Sequence, residues 1–373
     1  MSLLFSPCKL SSPRGGLDLP NRIVIAPMCQ YSSVNGEAND WHLAHWTSLL
    51  NSGAGLLTLE ATGVLPEGRI TPDCLGLWDE RTEQALGDNL ARARKLAPPM
   101  PVCIQLSHAG RKGSSAAPWH GGQLLPATER GWQTVAPSAL PQLPNEAPPL
   151  ALTLAQITEI RDAFVTAARR AQRIGIDAIE LHAAHGYLLH QFLSPLANQR
   201  TDDYGGSLDK RMRFPLEVFA AVRAVFDGPL GVRVSATDWV EGGWEVEQTS
   251  EFARRLKPLG CDFIHVSTAG VSPLQKIAIG PAYQVPFASA VRKASGLTTT
   301  AVGLITQPQQ AEEILQAGDA DLIAIARVLL YKPRWPWEAA AALGATITAS
   351  PQYWRCLPRE VQGIFGDVRI GAR

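Results

Sequence analysis

The sequence has no surplus of charge of either sign. Thirty-four Lys plus Arg balance thirty-four Asp plus Glu, which leaves no broad field to draw nucleic acid or acidic lipid. Neither is expected as a partner. Long apolar runs are also missing: residues 322–326 and the proline-interrupted stretch around Pro148 fall far short of the roughly 20 residues that a membrane helix needs. The opening MSLLFSPCKL lacks a charged segment followed by an apolar core of the secretory type, so a cytoplasmic protein is expected. The six cysteines, at 8, 29, 74, 103, 261 and 356, form no C-x-x-C pair, which argues against a zinc ribbon or an iron–sulfur cluster. Apolar side chains are not scarce: 46% of 373 residues is enough for a large folded core.

Short β-branched runs recur along the chain: IVIAP from Ile23, LLTLEA from Leu56, VCIQLSH from Val102, AIELHAAH from Ala178, LGVRVSA from Leu230, FIHVSTAG from Phe263, TTTAVGL from Thr298 and LIAIAR from Leu322. Stretches of helical spacing separate them, and Thr153 with Gln156, and Thr306 with Gln309, have the spacing of capping boxes. No G-x-G-x-x-G follows the first run, as an open dinucleotide-binding sheet would usually require. Eight apolar strands, each followed by a helix, predict an α/β protein with a single (β/α)8 TIM barrel over residues 1–373. The Pro-, Gly- and Trp-rich stretch 109–151 is too long for an ordinary connection and is expected as an elaborated loop over the barrel mouth. Residues 12–18 are expected as a surface loop. The tail 350–373 leaves the barrel pattern, and its Tyr353, Trp354 and Arg355 call for cover, which a neighbouring subunit would provide.

Active sites of such barrels form at the carboxyl ends of the strands. There the first run offers Pro27-Met28-Cys29-Gln30-Tyr31, the second Glu60-Ala61-Thr62, the third Gln105 to His108, and the fourth His182, His185 and Tyr187. Arg233 lies on the fifth run. Gly303 ends the seventh, and Ala326-Arg327 the eighth, where barrels often hold phosphate. The group His182-x-x-His185-x-Tyr187 admits three readings. A metal site would need a third ligand, for which His108 is the candidate. Alternatively, the imidazoles donate to a substrate oxygen that becomes negative while the phenol passes a proton to carbon. The third reading is two structural histidines and a core tyrosine.

Several longer stretches carry a resemblance: NRIVIAPMCQY at 21–31, PEGRI at 66–70, QLSHAGR at 105–111, ELHAAHGY at 180–187 and FLSPLANQRTDDYGGS at 192–207. With Arg233, Gly303 and Arg327 in order behind them, the chain resembles the old yellow enzyme family of FMN-dependent ene-reductases, in its thermophilic-like branch, over nearly its whole length. The resemblance implies that Ala26, Pro27, Met28, Cys29 and Ala61 line an FMN ring, that Gln105 and Arg233 reach its pyrimidine end, and that His182 also binds the cofactor. Gly303, Ala326 and Arg327 would hold the phosphate, with Ala326 where the family commonly has Gly. His182 and His185 would grip the carbonyl oxygen of an activated alkene, Tyr187 would protonate carbon, and Tyr31 would be a second ligand-facing phenol. NADPH or NADH would supply hydride in a ping-pong reaction, and the acceptors would be enones, with nitro compounds, quinones and maleimides also possible. Arg355 would reach the pocket of a neighbouring subunit, implying a homodimer or homotetramer; Trp354 is the alternative occupant. A dienoyl-CoA-reductase-like enzyme would add a cysteine cluster and a second nucleotide-binding domain, neither of which the sequence carries.

Overall fold

A computed structural model describes residues 2–13, 15–361, 363–368 and 371; one position of the 12–18 stretch and five of the 350–373 tail lie outside the described residues. The chain opens with β1 (Cys8–Leu10) and β2 (Leu17–Leu19), then runs through β3 (Ile23–Ile25), α1 (Asp40–Leu50), β4 (Leu56–Gly63), α2 (Glu80–Lys95) and β5 (Val102–Ser107). Next come the short β6 (Val135–Ala136) and β7 (Leu150–Ala151), α3 (Leu154–Arg173), β8 (Ala178–Ala183), α4 (Leu188–Leu193), α5 (Leu208–Arg223) and β9 (Leu230–Ser235). The remainder is α6 (Val246–Leu256), β10 (Phe263–Ser267), α7 (Val285–Ser295), β11 (Thr298–Ala301), α8 (Pro308–Gln316), β12 (Leu322–Ile325), α9 (Arg327–Tyr331) and α10 (Trp335–Ala342).

Strands β3, β4, β5, β8, β9, β10, β11 and β12 close into one parallel barrel, and each is one of the eight apolar runs. Both faces of these strands are buried, which is why they read as nearly continuous apolar sequence. Ile104, Ile179, Val232 and Ile264 join helix residues such as Leu90, Phe164 and Phe219 in the outer core. Val24, Leu56, Cys103, Ala178, Phe263 and Leu322 belong to a separate inner cluster. Gly231 makes room there, since a Cβ on it would stand 2.4 Å from the Phe263 ring.

Two expectations need correction. Of the expected surface loop 12–18, residues 17 and 18 instead form β2 with Leu19: β1 and β2 pair antiparallel, and their buried Leu10 and Leu19 join the inner cluster as a plug. The open end of a barrel lined with apolar residues has to be covered. Helix α8 is not capped by Thr306 and Gln309. Pro308 takes its first position, Gln307 is the N-cap, and Gln310 Oε1 accepts the Thr306 N–H at 3.0 Å. In the tail, Tyr353 stays exposed and Trp354 is half-buried, each with contacts inside its own chain. Tyr353 packs edge-on against Trp337, Trp354 Nε1 donates to the Ala349 carbonyl, and Ser350 Oγ donates to Asn51 at the end of α1.

The stretch 109–151 contains three short 3-10 turns and the β6–β7 pair, with Arg111 donating to the carbonyls of Leu140 and Val271. Thr153 does cap α3, its hydroxyl accepting from the Gln156 N–H while the Gln156 side chain returns to the Thr153 N–H. Losing that cap should cost about 1 kcal/mol. Thr153→Ala is therefore expected to lower the urea midpoint without changing the slope of the transition.

Candidate active site

Inward positions recur every second residue along a strand, and up several barrel strands they pass from apolar to polar. Cys103 is followed by Gln105, Ala178 by Glu180 and His182, Gly231 by Arg233 and Ser235, and Phe263 by His265 and Ser267. Strand register joins these side chains. Gln105 lies beside Glu180, and Arg233 sits between His182 on β8 and His265 on β10. Gln105 Nε2 donates to Glu180 Oε1 at 2.6 Å, and His265 Nδ1 lies 2.8 Å from Glu180 Oε2. Burial pushes the Glu180 carboxyl up, but His265, Arg233 and Gln105 outweigh it and hold the group below the usual carboxylate range.

Arg233 is 7% exposed, and its Nε is buried without a hydrogen-bond partner among the described residues. Glu180 stabilises the cation through its field, but both its oxygens are engaged by Gln105 and His265. A guanidinium keeps its proton even when buried, so the barrel mouth holds a fixed cation with donor capacity to spare. Burial first, and Arg233 second, push both His182 and His185 well below the usual imidazole range. Both rings are thus neutral. The Nδ1 of His182 accepts the Ala184 N–H at 3.3 Å, which leaves Nε2 to carry the ring proton and act as donor. His185 Nε2 is 2.8 Å from Ser267 Oγ, a hydroxyl able to donate or accept.

The loop after β8 brings the three side chains of the motif together. The ring of His182 meets that of His185 at 5.2 Å and that of Tyr187 at 4.7 Å, both edge-on. The backbone achieves this by turning through positive φ at His185 and Gly186, 57° and 75°. At Gly186 a Cβ would stand 2.2 Å from the Gly270 carbonyl oxygen, so only glycine fits. The Gly186 N–H donates to His190 Nδ1, and His190 Nε2 lies 2.9 Å from Asp238, which also accepts from Ser194 and the Trp244 N–H. Burial pushes the Tyr187 phenol well above its ordinary range, keeping it protonated.

From β3 the chain passes from buried Ala26 to half-buried Pro27, Met28, Cys29, Gln30 and Tyr31. The Cys29 thiol and Tyr31 hydroxyl are within hydrogen-bonding reach, and burial raises both. The ring of Trp119, from the long loop, meets Tyr31 edge-on at 5.6 Å. Ala61 is in register with Gln105, just past an irregularity in β4 that sets Glu60 out of the ladder. Glu60 Oε2 accepts the Gln30 N–H at 2.9 Å, and its Oε1 lies 3.6 Å from His42 Nε2. Burial pushes Glu60 up to about 8 and His42 down to about 4.

Other expected residues make no hydrogen bond or ring contact with the histidine pair among the described residues, although Gly303 is linked to it through Gln284 and Ser267. Gly303 follows β11 at φ 119°, where a Cβ would meet the Gln284 side chain at 2.6 Å. Ala326, before the short α9, is half-buried with φ −108° and ψ −97°, and Arg327 is exposed. His108 does not join the histidine pair: its ring lies against Gly68, and its Nδ1 accepts the Gly110 N–H. Among the described residues no three His, Cys, Asp or Glu side chains are grouped to hold a metal ion. Arg355 is exposed within a tail that packs by the far end of α1, so neither it nor Trp354 reaches the mouth of its own barrel. Sequence reasoning missed His265, Ser267 and Lys112. The alternation of FIHVS would have marked the first two, and Lys112 stands one residue beyond the QLSHAGR stretch.

The chain matches the NADH:flavin oxidoreductase / NADH oxidase family over residues 3–344. It is 43% identical over 356 residues to an NADPH dehydrogenase of Geobacillus sp. (strain WCH70), covering 95% of this chain and 98% of that one. To an NADPH dehydrogenase of Listeria innocua serovar 6a it is 45% identical over 360 residues, covering 95% and 99%. Among solved structures it is similar to morphinone reductase in complex with tetrahydroNAD, with a TM-score of 0.73, 28% identity, and coverage of 94% of this chain and 93% of that one. It is also similar to 2-naphthoyl-CoA reductase in complex with 2-naphthoyl-CoA, with a TM-score of 0.80 and 25% identity. That match covers 92% of this chain but 52% of the other, so the chain spans about half the length of that protein.

Glu60 gives the site a stability signature. Folded, it keeps its proton up to about pH 8, whereas an unfolded glutamate ionises near about 4.3. Between these values the folded state holds the extra proton, so stability falls as pH rises. Glu60→Gln should flatten the decline in urea midpoint between about pH 5 and 8. Identical pH profiles for the two proteins would contradict a protonated Glu60.

Proposed function

The chain belongs to the NADH:flavin oxidoreductase / NADH oxidase family, that of the old yellow enzymes its motifs resemble, and on that premise we propose that this flavin oxidoreductase reduces the activated C=C bond of α,β-unsaturated carbonyl compounds. The observation that carries the reading is the meeting of two neutral imidazoles and a protonated phenol beside a buried, incompletely partnered cation. FMN, when bound, supplies the redox chemistry, taking hydride from NADPH or NADH and giving it to the alkene in alternate half-reactions.

The residues present suit that group. Arg233 offers an unpaired buried Nε to the pyrimidine end of a flavin, which becomes anionic on reduction, with Gln105 and His182 beside it. Ala26, Pro27, Met28, Cys29 and Ala61 would line the ring, and the half-buried state of 27–29 leaves surface for it. Gly303, with no Cβ, and the backbone at Ala326 and Arg327 would take the phosphate, the usual place for one in such barrels.

Toward the substrate, His182 and His185 act as hydrogen-bond donors to the carbonyl oxygen. Because they are neutral, they donate without surrendering a proton. Negative charge builds on that oxygen as the double bond is reduced, so fixed donors favour the transition state over the ground state. Tyr187 then gives its proton to the carbon next to the carbonyl. Burial keeps the phenol protonated until a carbon base strong enough to take the proton is present. Tyr31 and Trp119 wall the outer side. Electron-poor nitro compounds, quinones and maleimides fit the same chemistry. Arg355, exposed and remote from its own mouth, would act in the pocket of a neighbouring copy, in a homodimer or homotetramer. No helix among the described residues is long and apolar enough to cross a membrane, and a cytoplasmic enzyme is the reading adopted.

Anaerobic stopped-flow measurements separate the half-reactions. Tyr187→Phe is expected to slow reoxidation by cyclohexenone by about 10²- to 10⁴-fold, with far less effect on reduction by NADPH. Equal reoxidation rates for the two proteins would remove Tyr187 from the proton-donor role.

A further inference from the structure

One half-buried cation near the site has no part in the reading above. Lys112 ends the turn Gly110–Lys112 that follows β5. Its Nζ donates to the carbonyl oxygens of His185, at 2.8 Å, and Gly270, at 3.0 Å. It also lies over the Tyr187 ring, 5.2 Å from the centroid. Lysine ammonium groups are strongly hydrated and normally stay in water or pair with a carboxylate. Here two neutral carbonyls hold the ammonium in place. They belong to the loops after β8 and β10, which touch at Gly186 and Gly270 so closely that a Cβ on either would collide with the other loop. The cation is thus fixed against a single ring, and that ring belongs to the residue assigned the proton transfer.

We propose that Lys112 is a positioning residue for proton donation by Tyr187: its ammonium, held on the ring face by the two carbonyls, stabilises the phenolate formed as the proton leaves. The inference rests on the ene-reductase reading. In the step concerned, the Tyr187 O–H bond breaks, a C–H bond forms at the carbon next to the substrate carbonyl, and the electron pair stays on the phenolate oxygen. A solvent proton later restores the phenol. A charge about 5 Å away interacts with the phenolate more strongly than with the neutral phenol, whose attraction is that of a ring quadrupole alone. The carbonyl bonds have a second effect, since they pin the positive-φ turn at His185 that sets the Tyr187 ring where it is.

The groups facing Nζ are Arg111 beside it on the turn, Glu146 from the long loop, and His185, Tyr187 and His182 from β8 and its loop. Burial, then Arg111, push Lys112 down to about 8. Its charge should therefore be present below that pH and fade above it.

The test is a double-mutant cycle on the FMN-loaded enzyme. Lys112→Met is expected to slow reoxidation by cyclohexenone by about ten- to a hundredfold when Tyr187 is present, but by less than about twofold in the Tyr187→Phe background. Lys112→Gln, which keeps a hydrogen-bond donor for the carbonyls but no charge, should behave like Lys112→Met. A readout independent of turnover is fluorine NMR of fluorotyrosine-labelled enzyme. The resonance that disappears in Tyr187→Phe should move as pH crosses about 8, and that step should be gone in Lys112→Met. Equal losses in both backgrounds, full activity in Lys112→Gln, or a resonance that ignores Lys112 would each overturn the proposal. Tyr187→Phe without effect on reoxidation would instead bring down the ene-reductase assignment of Tyr187, and the role of Lys112 with it.

Discussion

A guanidinium inside a protein, without a contact carboxylate of its own, is the constraint around which this barrel mouth is organised. Arg233 sits on β9 between His182 and His265. Its Nε has no partner among the described residues, and the acid that stabilises it, Glu180, divides its oxygens between Gln105 and His265. Burying a charge is costly unless it is compensated, and Glu180 compensates only through its field. Burial first, and this cation second, keep His182 and His185 from accepting protons. A site built this way favours a ligand that brings negative charge to Arg233, and presents that ligand's neighbour with donors instead of acids.

The supporting structure divides along the barrel axis. At one end the β1–β2 ribbon inserts Leu10 and Leu19 against the inner apolar residues and closes the barrel. At the other the inward positions turn polar, and the loops bend through left-handed backbone at Tyr31, His185, Gly186, Ala269, Gly270 and Gly303. These turns are held individually: Glu60 takes the Gln30 N–H, His190 and Asp238 brace Gly186, and Lys112 and Arg111 tie the loops after β8 and β10 to the turn after β5. Side chains that carry the chemistry can then stay rigid while resting on loops.

Much of this could be read in advance, for reasons that differ by residue. The eight strands were legible because burial on both faces leaves a continuous apolar run, and Thr153 was legible because a capping box is a local pattern. His182, His185, Tyr187 and Arg233 were legible as polar residues interrupting such runs near their carboxyl ends. Glu60 and His265 interrupt runs in the same way, yet their partners, Gln30, His42 and Glu180, come from distant segments that no local pattern identifies. Thr306 misled because Pro308 set the helix start one residue further on, making Gln307 the N-cap. The 12–18 stretch was legible as a loop through its Gly and Pro, but these do not say that it runs into a strand at 17 or that the flanking Leu10 and Leu19 fill a barrel end. Arg355 is an exposed side chain whose partner, if another subunit, lies outside what one chain can show by periodicity.

The central claim is that the unpartnered Arg233 cation is the seat of the flavin's anionic end, and the most direct measurement is the affinity of the apoprotein for FMN, read from quenching of flavin fluorescence. Replacing a charged, buried donor that bonds the ligand should cost about tenfold or more in affinity. Arg233→Met is thus expected to raise the dissociation constant by at least that factor. An unchanged constant would contradict the account.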